Sequence, residues 1–143
     1  MIAGVREFEI SHVVTLEETN LVGNVYFANY FSWQGRCREM FLHRYAPDVL
    51  RELESGALRM VTAHASCDFV DEFRAFDHIR IRMRLLGLIP FGVSLGFEYL
   101  VADQGADDVL ARGRQDIKFL RRRGGEWELS PVTPSLAAVL GSA

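Results

Sequence analysis

EETNLVGNVYFANYFSWQGRCREMFLHRY, the stretch from Glu17 to Tyr45, decides how the rest of the chain is interpreted. It begins as a short polar loop, passes Gly23 and continues as a long apolar segment without proline. The apolar residues recur at the three- and four-residue spacings of one helix face. They are Tyr26, Tyr30, Trp33, Cys37, Met40 and Phe41. The spacing predicts a helix from Tyr26 to His43 that is buried on most of its sides.

The residues at both ends of this segment favour helix termini. Asn24 is a candidate N-cap, because an asparagine side chain can accept a hydrogen bond from a free N–H of the first turn. Ala46 and Pro47 predict the end of the helix, since a proline disfavours a helical conformation in the residue before it. We therefore expect the polar loop to meet the helix close to Asn24.

Length and composition favour one domain spanning residues 1–143. The chain has 143 residues, 49% of them hydrophobic, which is enough for a sizeable core. Its net charge is −3 and its sequence pI is about 5.8. Those values argue against a surface built for nucleic acid, for which a strongly basic domain is expected. We predict no nucleic-acid partner.

The cysteines and histidines do not indicate a metal site. Cys37 and Cys67 are far apart and are interpreted as buried free thiols of a reducing cytosol. The four histidines have no spacing typical of zinc or of a nucleophile triad. We predict no metal and no cofactor. The charged N-terminus is not a signal peptide, and no stretch approaches the ~20 apolar residues of a membrane span, so we expect a cytoplasmic protein without a membrane partner.

Alternating apolar and polar residues predict strands on both sides of the helix. The predicted strands are residues 5–15, 59–70, 78–86, 93–101 and 109–121, with a hairpin at Gly124-Gly125 that leads into Trp127 and Leu129. We also predict a short surface helix over Asp48–Glu54, a loop over 102–108 and either a helical turn or a tail over Ser135–Leu140. Short connections favour an antiparallel sheet. The fold class is therefore α+β, with five or six antiparallel strands wrapped around one long central helix.

The strand over residues 59–70 has two different faces. Apolar residues share one face: Val61, Ala63, Ala65, Cys67 and Phe69. Polar residues share the other: Thr62, His64, Ser66 and Asp68. A polar face of this kind is either partly exposed or lines a site, which makes Thr62 a candidate substrate-binding residue.

TNLVGNVY, residues 19–26, with the following Phe27, Tyr30, Trp33, Arg36 and Arg38, resembles a family motif. It is similar to the T-D-x-x-G-x-V-Y-like loop and helix of hot-dog fold thioesterases, in the 4-hydroxybenzoyl-CoA thioesterase-like branch. The resemblance implies a single hot-dog domain that hydrolyses acyl thioesters. It also implies a homotetramer built as a dimer of dimers, with sites shared between subunits. The position of the family's catalytic aspartate holds Asn20 here.

Asn20, Arg38 and the surrounding ETNLVGNVYFANYFSWQGRCRE look like the thioesterases of enediyne polyketide biosynthesis. Enzymes of that kind release a long polyene chain from the acyl carrier protein of an iterative polyketide synthase, and a β-keto acid product can then lose carbon dioxide. The resemblance implies an acyl carrier protein or domain as the partner. Two alternatives stay open: a general acyl-CoA thioesterase, and a non-catalytic acyl-binding module on the same fold.

Asn20 sets the chemistry that this site can perform. An amide cannot act as nucleophile or base in the way that a carboxylate does, but it can orient a water through its carbonyl or hold the substrate through its NH2. The mechanism should then depend on positioning and electrostatics. The alternative is that Asn20 only fixes the loop, as asparagine often does.

The N-terminus of the helix provides free N–H groups and a positive dipole end, which stabilise a developing oxyanion. By the resemblance, the N–H of Phe27 is the expected oxyanion donor, with Tyr26 one position away.

Arg38 shares a helix stripe with Tyr30 and Gln34. We interpret Arg38 as a permanent cation that reaches the carbonyls or carboxylate of the substrate. The alternative is a structural salt bridge, for instance with Glu18. Tyr30 is either a substrate-binding residue, through its hydroxyl, or part of the core.

Three further features have both a functional and a structural interpretation. Glu39 is a candidate base, although it lies about 100° around the helix from Arg38 and would not easily face the same small site. The apolar helix face and nearby aromatic residues line an acyl channel or simply form core. The run Arg121-Arg122-Arg123 either meets the phosphopantetheine or acidic surface of a carrier protein, or is solvated.

Overall fold

The computed structural model describes residues 7–20, 23–102 and 108–140. Its helices are a 3₁₀ turn at Leu16–Glu18, α1 at Ala28–Tyr45, α2 at Pro47–Ser55 and α3 at Pro134–Leu140. Its strands are β1 at Glu7–Val13, β2 at Leu58–Phe69, β3 at His78–Ile89, β4 at Gly92–Val101, β5 at Val109–Arg123 and β6 at Glu126–Ser130. The predicted order of one strand, one long helix and a run of further strands is confirmed.

The strands form one antiparallel sheet in the order β1-β3-β4-β5-β2, and β6 pairs with the end of β5. Helix α1 lies against the inner face of this sheet, where its apolar side chains join the core. The buried apolar residues of α1 are Tyr30, Trp33, Cys37, Phe41 and Leu42. The α+β fold class predicted from the alternating strands and the single apolar helix is therefore confirmed.

The start of α1 differs from the prediction. The helix begins at Ala28, two residues after the predicted Tyr26, and Phe27 occupies the N-cap position without a side-chain cap. Asn24 is not the N-cap, because its side chain donates to Glu72 Oε1 at 2.9 Å instead. The predicted end is confirmed: α1 stops at Tyr45, and Pro47 opens α2.

A β-bulge in β2 overturns the predicted faces of that strand. Thr62 pairs with Ile117 and His64 pairs with Asp116, so Ala63 is an extra residue between them. Cross-strand partners share a face, and an extra residue reverses the alternation. Thr62 therefore lies on the inner face with the buried Ile117, and Ala65 lies on that face after the bulge. Counting every second residue put Thr62 and Ala65 on opposite faces, because it assumed unbroken pairing.

The remaining predicted elements hold with shifted ends. β3 continues to Ile89 beyond a register shift between Leu85 and Gly87. The Ser135–Leu140 segment is helical, as α3. Parts of three predictions lie outside the described residues: positions 5–6 of the first strand, 21–22 of the polar loop and 103–107 of the loop before β5.

One edge of the sheet is open in the isolated chain. β2 pairs only with β5 among the described strands, and its residues 61–65 are all exposed. An unpaired edge with free N–H and C=O groups is a template for pairing with another chain. The opposite edge, β1, carries glutamates that form ion pairs with the arginines of β3.

Both cysteines are free thiols; Cys37 is buried and Cys67 half-buried. Burial raises the pKa of each thiol to about 12, so neither provides a thiolate nucleophile near neutral pH. In the part of the chain that the structure describes, no cluster of histidine, cysteine or carboxylate side chains is arranged to hold a metal ion. None of its helices is long and apolar enough to cross a membrane.

Candidate active site

The carboxylate of Glu18 connects three elements just before the candidate site. It accepts hydrogen bonds from His12 Nε2 on β1, from the backbone N–H of Thr15 and from Trp33 Nε1 on α1, each at 2.8 Å. Burial alone would raise the pKa of Glu18, but the hydrogen bonds from Thr15, His12 and Trp33 outweigh it and hold the pKa below its usual value. The side chain of Glu18 therefore fixes the chain two residues before Asn20.

The backbone of Glu18 continues this connection to the start of α1. Its carbonyl oxygen accepts from the N–H of Tyr26 at 2.9 Å and from Asn29 Nδ2 at 2.8 Å. The sequence suggested Glu18 only as a partner of Arg38, and that suggestion is wrong, because its carboxylate binds His12, Thr15 and Trp33. Glu18 and Trp33 are 15 positions apart in the sequence. No local sequence pattern predicts a hydrogen bond between them.

Asn20 lies in a tight loop that returns to Asn24. The N–H of Asn20 donates to the Asn24 carbonyl at 2.7 Å, and the Asn20 carbonyl accepts from the N–H of Gly23 at 2.9 Å. Gly23 has φ +94°, a conformation that side chains disfavour, which explains a glycine at this position. The side chains also meet: Asn20 Nδ2 donates to Asn24 Oδ1 at 3.4 Å. The half-buried amide of Asn20 is therefore held beside the start of α1.

The two candidate oxyanion donors differ in their backbone partners. The N–H of Tyr26 already donates to the carbonyl of Glu18. The N–H of Phe27 finds no acceptor among the described residues. Phe27 also sits at the positive end of the α1 dipole, where an added negative charge is stabilised. The geometry thus favours Phe27 over Tyr26 as the donor.

Arg38 lies further along α1, against the strands. Its Nη1 donates to Gln115 Oε1 on β5 at 2.7 Å. Burial lowers the pKa of this guanidinium and the nearby Glu39 carboxylate partly offsets that effect, but arginine remains a cation at any physiological pH. Gln34, one turn earlier, donates to the backbone of Ser66 on β2 at 3.3 Å. The predicted helix stripe, which contains Gln34 and Arg38, therefore faces β2 and β5.

Asn20 and Arg38 are not brought together within one chain. Asn20 lies at the N-terminal end of α1, whereas Arg38 follows Phe27 by eleven residues. At 1.5 Å of rise per residue, that is about 16 Å along the helix axis. A single copy of the chain thus separates the amide and the free N–H from the guanidinium.

Arg38 borders two spaces of different character. One is a small apolar cavity of about 20 Å³ between α1, the sheet and α3. Besides Arg38, its lining residues are Phe41, Leu42, Met60, Met83, Val93, Leu95, Leu136 and Leu140. The other is an open groove of about 510 Å³ against α2, which Glu39 also lines. Glu39 and Arg38 would not easily face one small site, but both line this wide groove.

Tyr30 and Thr62 occupy contrasting positions. Tyr30 is only 2% exposed, its ring packs edge-on against Phe69 at 4.8 Å, and burial raises its pKa to about 12. This environment favours the core interpretation of Tyr30 over substrate binding. Thr62 is exposed on the inner face of β2 and stays a candidate contact for substrate.

The arginine run at the end of β5 is divided between different partners. Arg121 forms an ion pair with Glu52 of α2. Arg122 and Arg59 of β2 both pack over the ring of Trp127, at 5.4 and 4.4 Å from its centroid. Arg121 therefore has a structural role, and the exposed Arg122 remains available to a partner.

Comparisons with known proteins agree with this architecture. The family model of the thioesterase-like superfamily matches residues 14–140. Among solved structures, the dynemicin thioesterase is 42% identical, with a TM-score of 0.87 and 94% of each chain covered. Comparison with curated protein sequences gives no match.

Two more distant structures share the fold. A 1,4-dihydroxy-2-naphthoyl-CoA thioesterase from Synechocystis is 17% identical, with a TM-score of 0.83 and coverage of 94% of this chain and 95% of that one. The 4-hydroxybenzoyl-CoA thioesterase of a Pseudomonas species is 14% identical, with a TM-score of 0.80 and coverage of 94% and 99%. The family match over most of the chain places this hot-dog domain in the thioesterase-like superfamily, as an acyl thioester hydrolase.

Proposed function

We propose that this thioesterase hydrolyses a β-keto polyene acyl thioester carried by the acyl carrier protein of an iterative enediyne polyketide synthase. The observation that carries the proposal is the 42% identity, over 94% of both chains, to the dynemicin thioesterase, a protein described as binding a polyene. Asn20 at the position of the family's aspartate supports the same assignment. The released β-keto acid then loses carbon dioxide.

The proposed reaction uses groups at the N-terminal end of α1. A water held by the Asn20 amide attacks the thioester carbon, the oxyanion forms beside the N–H of Phe27, and the carbon–sulfur bond breaks. The water supplies the hydroxyl of the acid and the proton of the released thiol. An amide performs no covalent step, so the rate depends on positioning and on the positive helix end.

Arg38 and its surroundings fit the other part of this substrate. The groove of about 510 Å³ beside Arg38 has an apolar wall, which suits a hydrocarbon chain carrying an oxygenated end. That wall is formed by Met40, Leu42, Leu50, Leu53 and Met60. We propose that Arg38 binds the β-keto group before cleavage and the carboxylate afterwards.

A second copy of the chain would explain how two groups about 16 Å apart along one helix act on one substrate. The open β2 edge, with residues 61–65 exposed, suits antiparallel pairing with the same edge of another copy. We propose a site completed across this edge, with Asn20 from one copy and Arg38 from the other, in a homotetramer built as a dimer of dimers.

The function is tested by co-expressing the chain with its polyketide synthase and identifying what is released. The expected product is a free polyene, formed by hydrolysis and decarboxylation, that is missing when the thioesterase is omitted. Rapid hydrolysis of many acyl-CoA thioesters without any effect on the synthase-bound chain would favour a general acyl-CoA thioesterase instead.

The shared site is tested by mixing two inactive variants, Asn20→Ala and Arg38→Ala, under conditions that exchange subunits. Mixed dimers of the proposed kind contain one intact site, so hydrolysis should return to about a quarter of the wild-type rate after random exchange. No recovery, with exchange verified by light scattering and mass spectrometry, would assign both residues to one chain.

A further inference from the structure

We infer that Glu72, acting through Asn24, fixes the Asn20 amide so that its carbonyl oxygen, and not its NH2 group, holds the reacting water. The inference rests on the proposed function and assigns one of the two roles that an amide could perform there. Glu72 and Asn24 are positioning residues, because in this proposal they act on the reaction only through Asn20.

The first link in this relay is set by the chemistry of Glu72. A carboxylate only accepts hydrogen bonds, whereas an asparagine amide has one end that accepts and one that donates. Asn24 lies 2.9 Å from Glu72 Oε1 and presents Nδ2 to it. The opposite orientation would direct the Asn24 oxygen at a carboxylate oxygen. Glu72 thus selects one of the two amide orientations of Asn24.

The second link transfers this selection to Asn20. With Nδ2 of Asn24 bound to Glu72, its Oδ1 faces the Asn20 side chain and requires a donor. Asn20 supplies Nδ2 at 3.4 Å, while the 2.7 Å bond from its N–H to the Asn24 carbonyl holds the two residues together. Asn20 Oδ1 then accepts nothing from the residues that the structure describes. It is left to accept a hydrogen from water.

The backbone holds Glu72 next to Asn24. The segment after β2 runs antiparallel to the loop before α1: Asn24 forms a β-bridge with Arg74, and the N–H of Val25 donates to the Phe73 carbonyl at 3.0 Å. The buried Phe73 fixes this segment in the core. The Asn24–Glu72 hydrogen bond is itself exposed, and the paired backbone is what keeps its two residues next to each other.

Glu72→Gln is the first test, because glutamine keeps the size of the side chain but can present either end of its amide to Asn24. We expect kcat to fall about tenfold, since a disoriented water is positioned less often, with KM changed less than about twofold. Asp71→Asn is the matched control: it removes the same charge from the adjacent residue, and the asparagine oxygen can still accept from the Glu72 N–H as Asp71 does at 2.8 Å.

A double substitution distinguishes orientation from charge. Asn24→Asp alone places two carboxylates side by side and should lower kcat. Adding Glu72→Gln supplies a donor to the new aspartate, which still accepts from Asn20 Nδ2, so kcat should recover. Thermal unfolding of each variant verifies that the fold persists. A Glu72→Gln variant with wild-type kcat, or a double variant without recovery, would overturn the relay.

The Asn20→Ala background separates this inference from the proposed function. In that background Glu72→Gln should have no additional effect, because the relay acts only through Asn20. If Glu72→Gln lowers kcat by the same factor with and without Asn20, the relay is refuted and the proposed site is not. Full activity in Asn20→Ala itself would instead remove the proposed site, and the relay with it.

Discussion

The two parts of α1 that border candidate functional space are built differently. Its N-terminal end is polar: Glu18 connects it to β1, and Asn20 and Asn24 form a relay to Glu72. Its middle is apolar, and Arg38 is the one charged side chain among the described residues that line the small cavity there. Hydrogen bonds to carboxylates fix geometry, whereas apolar contacts tolerate small shape changes. The polar N-terminal end therefore suits chemistry that needs a positioned water, and the apolar middle suits recognition of a hydrocarbon chain.

The cavity lining supports this division. Met60 and Met83 both border the apolar cavity, and methionine adapts its shape more readily than branched side chains. At the N-terminal end, by contrast, Trp33 is fully buried and its indole N–H is bound to Glu18. We therefore expect substitutions at the polar end of α1 to change mainly kcat, and substitutions beside Arg38 to change mainly KM.

The largest effect is expected at the polar end. Asn20→Ala should lower kcat for a β-ketoacyl thioester by about a hundredfold, because the water loses its acceptor, while the fold persists. Steady-state kinetics and circular dichroism measure the two properties. Ser32→Ala, at an exposed position of α1, is the control and should retain the wild-type rate. A wild-type rate in Asn20→Ala would reject the site.

Glu18→Gln tests how far the polar end depends on its carboxylate. The loss of charged hydrogen bonds to His12 and Trp33 should reduce the free energy of unfolding by about 2 kcal/mol. Because the folded-state pKa of Glu18 is lowered, its stabilisation is complete above its ordinary value of 4.5 and declines as the pH falls below it. Denaturant unfolding across this range should show the wild type and the variant converging in acid.

Glu17→Gln provides the matched control for that measurement. Glu17 is exposed and directly precedes Glu18, so it should change the free energy of unfolding by less than about 0.5 kcal/mol. Equal losses in the two variants would mean that net charge, and not the Glu18 contacts, stabilises this end.

Leu53→Phe tests the apolar part by narrowing the groove beside Arg38. Leu53 is half-buried and lines this groove with Met60. Displacing two or more methylenes of a long acyl chain should raise its KM about tenfold, at ~0.8 kcal/mol each, with little change for a short-chain thioester. Leu86→Phe, at a position 57% exposed on the outer face, is the control. Equal effects on long and short chains would show that the chain does not enter this groove.

The smallest effect is expected from Asn20→Asp. A carboxylate here cannot donate to Asn24 Oδ1, and no cationic group contacts Asn20 among the described residues. The variant should therefore hydrolyse the thioester no faster than the wild type. A large gain in kcat would mean that the polar end can support a carboxylate mechanism after all.

Local patterns predicted most of the fold. The spacing of Tyr30, Trp33 and Cys37 predicted the central helix, and Pro47 marked its end within two residues. Alternation predicted the strands, because period-two patterns survive wherever pairing is unbroken. The prediction of the two faces of β2 was wrong because its pairing is interrupted. A single bulge between Thr62 and His64 reverses the alternation, and no local pattern in the sequence signals it.

The sequence by itself determined the chemical types present: an amide at position 20, a helix start at its side and a cation on the helix face. It could do so because residue identity and helical spacing are local properties. The tertiary structure decided which of these groups meet. It bound Glu18 to His12 and Trp33, linked Asn20 to Asn24 and Asn24 to Glu72, and set Arg38 apart. Those contacts join segments up to 77 residues apart, and only packing of the sheet around the helix brings such segments within hydrogen-bonding distance.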